Sequence, residues 1–158
     1  MYAEFGSKQQ LFEAALEHYN NKHLTGVLAP LEAPDASIEA IRQAFHGYAS
    51  ASEGPFRGLG CLMCNTAVER AALDPGSARY VDAYLERLKQ AFRHALSNAQ
   101  QCGEIGLNVD LDEMAGFLTT ALIGMAASVR AVAPPAQLWA AYGVVTKVVE
   151  GLSTTDRS

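Results

Sequence analysis

Basic residues are scarce in this sequence: 12 lysines and arginines stand against 17 aspartates and glutamates, a net charge of −5. Neutralising nucleic-acid phosphates takes a basic face, so a chain with this balance is not a nucleic-acid binder by itself. Charge of either sign is thin, at 18% of residues, while 49% are apolar, and that excludes an intrinsically disordered chain. Cysteine is limited to three, an odd number with no signal-peptide pattern ahead of it, which points to a reducing, cytoplasmic setting without structural disulfides. A membrane-spanning run is missing as well. Met114 to Val129 carry no charge, but Glu113 and Arg130 bound them, and spanning takes about 20 residues, so no membrane partner is expected.

Chemistry-bearing motifs are equally sparse. No G-x-S-x-G elbow, phosphate loop, dinucleotide fingerprint or paired carboxylates occur, so no catalytic residue is named and no enzyme is expected. His18, His23, His46 and His94 are scattered without i, i+4 pairing. Asp110, Asp112 and Glu113 lack the glycine and closing glutamate of a calcium loop and read as helix-capping acids. Neither a metal nor a cofactor is expected.

What the sequence does contain is apolar residues at helical spacing over 158 positions, enough for one domain with a proper core. The expectation is an all-α fold, a helical bundle of about six to seven helices. Ser7 and Gln10 make a capping box for a first helix from Lys8 to about Leu24, with Leu11, Phe12, Ala15, Leu16 and Tyr19 as its stripe. Pro30 and Pro34 are expected in the loop that follows. Asp35 is the expected N-cap of a second helix carrying Ile38, Ile41, Phe45 and Tyr48, which stops by Glu53-Gly54-Pro55. A third is expected from about Gly58 to Leu73, where a turn of about 100° per residue sets Cys61, Cys64, Asn65 and Val68 on one face. Asp74-Pro75 opens a long helix with Val81, Tyr84, Leu88, Phe92 and Ala99 along its stripe, closed by Gly103.

The last two helices bear on assembly. Leu111 to Val132 is apolar almost all round and must be covered on two faces, and a second apolar helix follows Pro134-Pro135. A homodimer is therefore expected, in which these two helices and their symmetry mates form a four-helix bundle. Its interface is assigned to Leu118, Leu122, Met125, Val129, Leu138, Tyr142, Val145 and Val149.

The run Met1-Tyr2-Ala3-Glu4-Phe5-Gly6-Ser7-Lys8-Gln9-Gln10-Leu11-Phe12, followed by Ala14-Ala15, resembles the end of the DNA-binding region in TetR-family transcriptional regulators. There a Leu-Tyr-x-His-Phe run closes the recognition helix and x-Ser-Lys-x-x-Leu opens the helix that links reading head to sensing core. Glu4 stands where the family usually has His, and Met1 where it usually has Leu. Gly103-Glu104-Ile105, the acidic cap and the small-residue helix after it extend the likeness over most of the chain. The resemblance implies a regulator beginning inside its recognition helix: residues 1–6 a remnant of that helix, 7–152 a ligand-binding and dimerisation domain, 153–158 a polar tail. It places DNA contacts at Tyr2 and Lys8, with operator DNA a partner only when the preceding helices are present. The function implied is the effector-sensing core of a repressor, and the alternative is a small-molecule-binding or dimerisation module without operator binding.

Candidate ligand-binding residues are Tyr48, Phe56, Cys61, Cys64, Asn65, Tyr84, Phe117 and Trp139, for a small, largely apolar organic effector. Plain core packing is the competing reading of each. Cys61 and Cys64 form a C-x-x-C, but zinc would need two more ligands, and a thioredoxin-type site needs its cysteines at a helix start after a strand. Placed inside a helix, the pair reads first as small hydrophobes beside a cavity and second as a redox or electrophile sensor.

Overall fold

The computed structural model describes residues 6–22, 25–69 and 74–153. Among them are seven α-helices and no strand: α1 Lys8–Lys22, α2 Thr25–Glu32, α3 Ile38–Ala51, α4 Leu62–Glu69, α5 Pro75–Gln101, α6 Leu111–Arg130 and α7 Pro135–Glu150. The expected all-α bundle is what forms.

α5 is the axis of the bundle. Its 27 residues extend about 40 Å at 1.5 Å each, and it packs against α1, α2, α3, α4 and α6. The expected stripe is buried from Val81 and Tyr84 through Leu88, Phe92 and Leu96 to Ala99, with Leu85 half-buried at its edge. Phe92 meets Phe45 of α3 with ring centroids 5.9 Å apart, both rings fully buried. At the head of α5, Asp74 accepts the Gly76 N–H at 3.1 Å and the Ser77 hydroxyl, so the capping acid before a proline acts as expected. At its foot Gly103 takes φ +75°, the left-handed turn that stops the helix.

Among the described helices, α7 rests on α3 and α6, an outrigger to the bundle. Asp110 caps α6 by accepting from the N–H groups of Asp112 and Glu113, both at 3.0 Å.

Several boundaries differ from expectation. The first helix gives way to a second, α2, and Pro30 lies inside it. Leu28 and Leu31 are fully buried there, and that burial holds a short helix in place despite the hydrogen bond proline forfeits. α3 starts after Ser37, because Asp35 stands in the preceding turn. The turn itself is pinned to α5 by Asn98, whose amide donates to the carbonyls of Pro34 at 3.1 Å and Ala36 at 2.9 Å. At Ser7 the hydroxyl accepts from the Gln10 N–H at 3.2 Å, one half of the expected capping box. α4 begins at Leu62 instead of Gly58, a shift of four residues that changes the chemistry of the site.

Candidate functional site

The start of α4 is dictated by two glycines. Gly58 and Gly60 take φ +81° and +64°, a conformation no helix contains. The loop is fastened to the end of α6: the Gly58 N–H donates to the Val129 carbonyl at 3.1 Å, and Arg130 donates to the Gly58 carbonyl at 2.9 Å. Gly60 lies so close to α6 that a β-carbon on it would stand 2.9 Å from the β-carbon of Arg130 and 3.0 Å from the Ala126 carbonyl. Only beyond this contact is the backbone free to wind. Cys61 then becomes the N-cap residue, its carbonyl accepting the Asn65 N–H at 2.9 Å, and its sulfur accepts from the N–H groups of Met63 and Cys64.

Around that sulfur four further groups converge from four helices. The Cys64 thiol of α4 donates to it, and the Tyr84 hydroxyl of α5 lies 3.9 Å away. Tyr19 of α1 hydrogen-bonds both the Cys61 sulfur and the Leu62 backbone. Tyr48 of α3 completes the ring and bonds the same sulfur. Cys61, Cys64 and Tyr84 are each at most 2% exposed.

The electrostatics follow from this arrangement. The Cys64 S–H bond and, beyond it, the backbone N–H groups and the Tyr84 hydroxyl draw the Cys61 thiol down to about 6, against burial, which opposes ionisation. Its neighbours move the other way. Cys64 is held up because its proton serves Cys61 and because it is buried. Burial, then the charge on Cys61, pushes Tyr19 up to about 12 and raises Tyr48 and Tyr84 further. The result is one sulfur able to carry a negative charge inside a shell of protonated donors.

Of the eight candidate ligand residues, the fold brings four together: Tyr48, Cys61, Cys64 and Tyr84. The other four lie elsewhere. Asn65 turns its amide back to the Leu59 carbonyl at 3.1 Å, bracing the loop. Phe56 is 64% exposed in that loop, and Phe117 stands on the outer face of α6. Trp139 packs edge-on against His46 and Tyr142, at 5.3 and 5.8 Å, between α3 and α7. Val68, expected on the cysteine face, is exposed. Tyr19 joins the cluster without having been among the candidates; as the last member of the α1 stripe it read as ordinary core.

The residues assigned to the dimer interface face inward. Leu118, Leu122, Met125, Val129, Leu138, Val145 and Val149 are all buried within the single chain, and Tyr142 is half-buried beside Trp139 and His46. A helix apolar on every side does not reveal by spacing which stripe its own bundle takes, and here the bulkier one goes inside. Apart from Phe117, the side chains left outside are smaller: Thr120, Gly124 and Ala127 on α6, Ala140 and Val144 on α7. A groove of about 300 Å³ runs between them, lined by Ala121, Gly124, Ser128, Gln137 and Ala141 with Met125, Leu138 and Val145 at its floor.

Lys8 is exposed in the first turn of α1, and Tyr2 lies outside the described residues. Among the described residues no group of three His, Cys, Asp or Glu is placed to hold a metal ion, and no helix is long and apolar enough to cross a membrane.

Comparison with known proteins places this geometry in context. Residues 37–143 match the family described as "Tetracyclin repressor-like, C-terminal domain". The chain is 32% identical over 126 residues to the uncharacterised HTH-type transcriptional regulator YezE of Bacillus subtilis, covering 79% of this chain and 65% of that protein. It is 31% identical over 137 residues to the HTH-type transcriptional repressor ComR of Escherichia coli, covering 82% and 62%. The chain thus spans less than two thirds of the length of these relatives. In fold it is similar to a TetR transcriptional regulator from Chloroflexus aurantiacus, with a TM-score of 0.81 at 24% identity over 94% of this chain and 75% of that one. It is similar too to a cysteine mutant of the TetR family regulator CifR bound to 26-base-pair operator DNA, with a TM-score of 0.79 at 23% identity over 92% and 76%.

Proposed function

This chain belongs to the TetR family of transcriptional regulators, as a tetracyclin repressor-like C-terminal domain, and from that premise we propose that it is the effector-sensing, dimerising core of a repressor. The effector is a small, largely apolar organic molecule, and its binding controls a helix-turn-helix reading head joined to α1. The observation that carries this reading is the cluster of Tyr19, Tyr48, Tyr84, Cys61 and Cys64. Hydroxyls and thiols gathered inside an apolar shell are the chemical complement of a molecule with a hydrocarbon body and one polar group.

α1 supplies the route outward. Tyr19 is on the helix that the resemblance places next to the reading head, and it bonds Cys61 and Leu62 directly. A molecule that takes over the donors of the cluster releases Tyr19 and changes the seat of α1. Two copies paired through α6 and α7 turn that change into a different spacing of the two reading heads, which must match successive major grooves. Pairing uses the outward side chains, centred on Gly124 and Val144, and buries the groove between the helices. Lys8 and Tyr2 are the proposed phosphate contacts.

Thermal unfolding in the presence of neutral aromatic alcohols and ketones tests the reading. A binder raises the melting temperature progressively with concentration, and Tyr48→Phe and Tyr84→Phe shrink the rise. Equal shifts in wild type and both variants would place the binding elsewhere and refute the role of the cluster.

A further inference from the structure

We infer that Cys61 and Cys64 form a peroxide-responsive dithiol switch, in which a hydroperoxide oxidises the pair to a disulfide and Tyr19 passes the change to α1. The inference deepens the reading of the same cluster as a sensing site and rests on that reading for its output. Its chemistry stands on separate observations.

The first is position. A C-x-x-C whose leading cysteine caps a helix and whose second cysteine occupies the third helical position sets both sulfurs at the positive end of the helix, one within hydrogen-bond reach of the other. The sequence alone does not show this, because there the pair falls inside a helix. The second is the donor set. The Cys61 thiol donates to the Tyr84 hydroxyl at 3.9 Å, and the hydroxyls of Tyr19 and Tyr48 and two backbone N–H groups face the same sulfur, more donors than a neutral, packed thiol needs. They stabilise a thiolate, which is the nucleophile toward peroxides. The third is the contrast with Cys102, which is exposed at the end of α5 and has neither a helix N-terminus nor a second cysteine beside it.

The reaction balances in two steps. The Cys61 thiolate attacks the outer oxygen of a hydroperoxide, the O–O bond breaks, and the leaving oxygen departs as an alcohol or as water with a proton from a neighbouring hydroxyl. The resulting sulfenic acid is attacked by Cys64, which loses its proton; an S–S bond forms and water leaves. Overall, two thiols and one hydroperoxide give one disulfide, one alcohol or water, and one water. The Cys61 sulfur ceases to be an anion, Cys64 no longer has a proton to donate, and Tyr19 and Tyr48 lose the charge they were bonded to.

The test exposes the reduced chain to equimolar hydrogen peroxide in one arm and cumene hydroperoxide in another, followed by thiol counting, differential alkylation and peptide mass mapping. Two of the three thiols are expected to disappear, linked as Cys61–Cys64, with Cys102 still titratable. Faster reaction in the cumene arm identifies an organic hydroperoxide as the signal, and faster reaction in the other arm identifies hydrogen peroxide; both support the switch. Cys64→Ser should stop at a sulfenic acid trapped by dimedone, and Cys102→Ser should react like wild type. Hydrogen exchange in α1 around Tyr19 should quicken on oxidation and return on reduction. Oxidation of Cys102 ahead of the pair, or a pair that stays reduced, would overturn the chemistry. A disulfide that forms without altering exchange in α1 would overturn the switch while leaving effector binding, tested separately by the melting shifts, intact.

Discussion

The interior around Cys61 and the outer face of α6 and α7 share out polar and apolar groups in opposite senses. Inside, hydroxyls and thiols from four helices are gathered where apolar packing alone would do. Outside, Val144 is 59% exposed and Phe117 43%, set among glycine, alanine and threonine where charge would be the rule. Both departures cost something in an isolated chain: buried hydroxyls lose water, and exposed apolar side chains keep it ordered. The proposed function accounts for each with a second molecule, a ligand for the interior and another copy of the chain for the outer face. Deviations from the simplest packing rules are therefore where function is to be sought, while the apolar stripe of α5 from Leu88 to Ala99, which obeys them, is scaffold.

The largest expected effect belongs to the scaffold that separates the two regions. Phe92→Ala removes the ring that meets Phe45 in the fully buried centre, and urea unfolding should show a loss of about 3–5 kcal/mol. The outer face should respond in assembly instead of stability. Gly124→Arg with Val144→Arg sets one cation in the groove and one on the exposed face of α7, and the dimer dissociation constant from sedimentation should rise at least ~10-fold, about 1.4 kcal/mol, with the unfolding of the separated chain little changed. In the interior, Tyr48→Phe deletes one hydroxyl from the ring and should shift stability by about 0.5–1.5 kcal/mol.

The same cluster sets a pH dependence of definite sign. Cys61 is held down to about 6, against ~8.5 in an unfolded chain, so between those values the unfolded state carries the proton and the native state does not. Stability from this group rises with pH across that window, is complete above it, and is lost as pH falls through about 6. Above ~8.5 the direction reverses, because Cys64 is raised and ionises first in the unfolded chain, and above ~10 the raised Tyr19, Tyr48 and Tyr84 add to the reversal. Cys61→Ser should flatten the lower slope, measured by urea midpoints across pH. The smallest effect is expected from Glu32→Gln, which breaks the paired hydrogen bonds from Arg87 at 2.6 and 2.8 Å. Both groups are over a third exposed, so the loss should be only about 0.2–1 kcal/mol.

Much of this was legible in the order of residues. The stripe of α5, the caps at Asp74 and Asp110 and the turn at Gly103 are local signals, and local signals survive folding unchanged. Tertiary choices were not legible. Periodicity found that α6 is apolar all round but could not say which stripe its own bundle would bury, and the larger side chains went inward. The site was half visible: Tyr48, Tyr84 and the two cysteines were singled out, whereas Tyr19 looked like core. Gly58 and Gly60 held the missing information, since two positive-φ turns forbid the helix that apolar spacing suggested. Their close approach to α6, a contact between residues far apart in sequence, is what makes Cys61 a cap.

Native mass spectrometry of the chain purified under reducing conditions tests the central claim most directly. The account predicts a species of twice 16.9 kDa that Gly124→Arg with Val144→Arg reduces to a single chain. A folded single chain in the unaltered protein would contradict it.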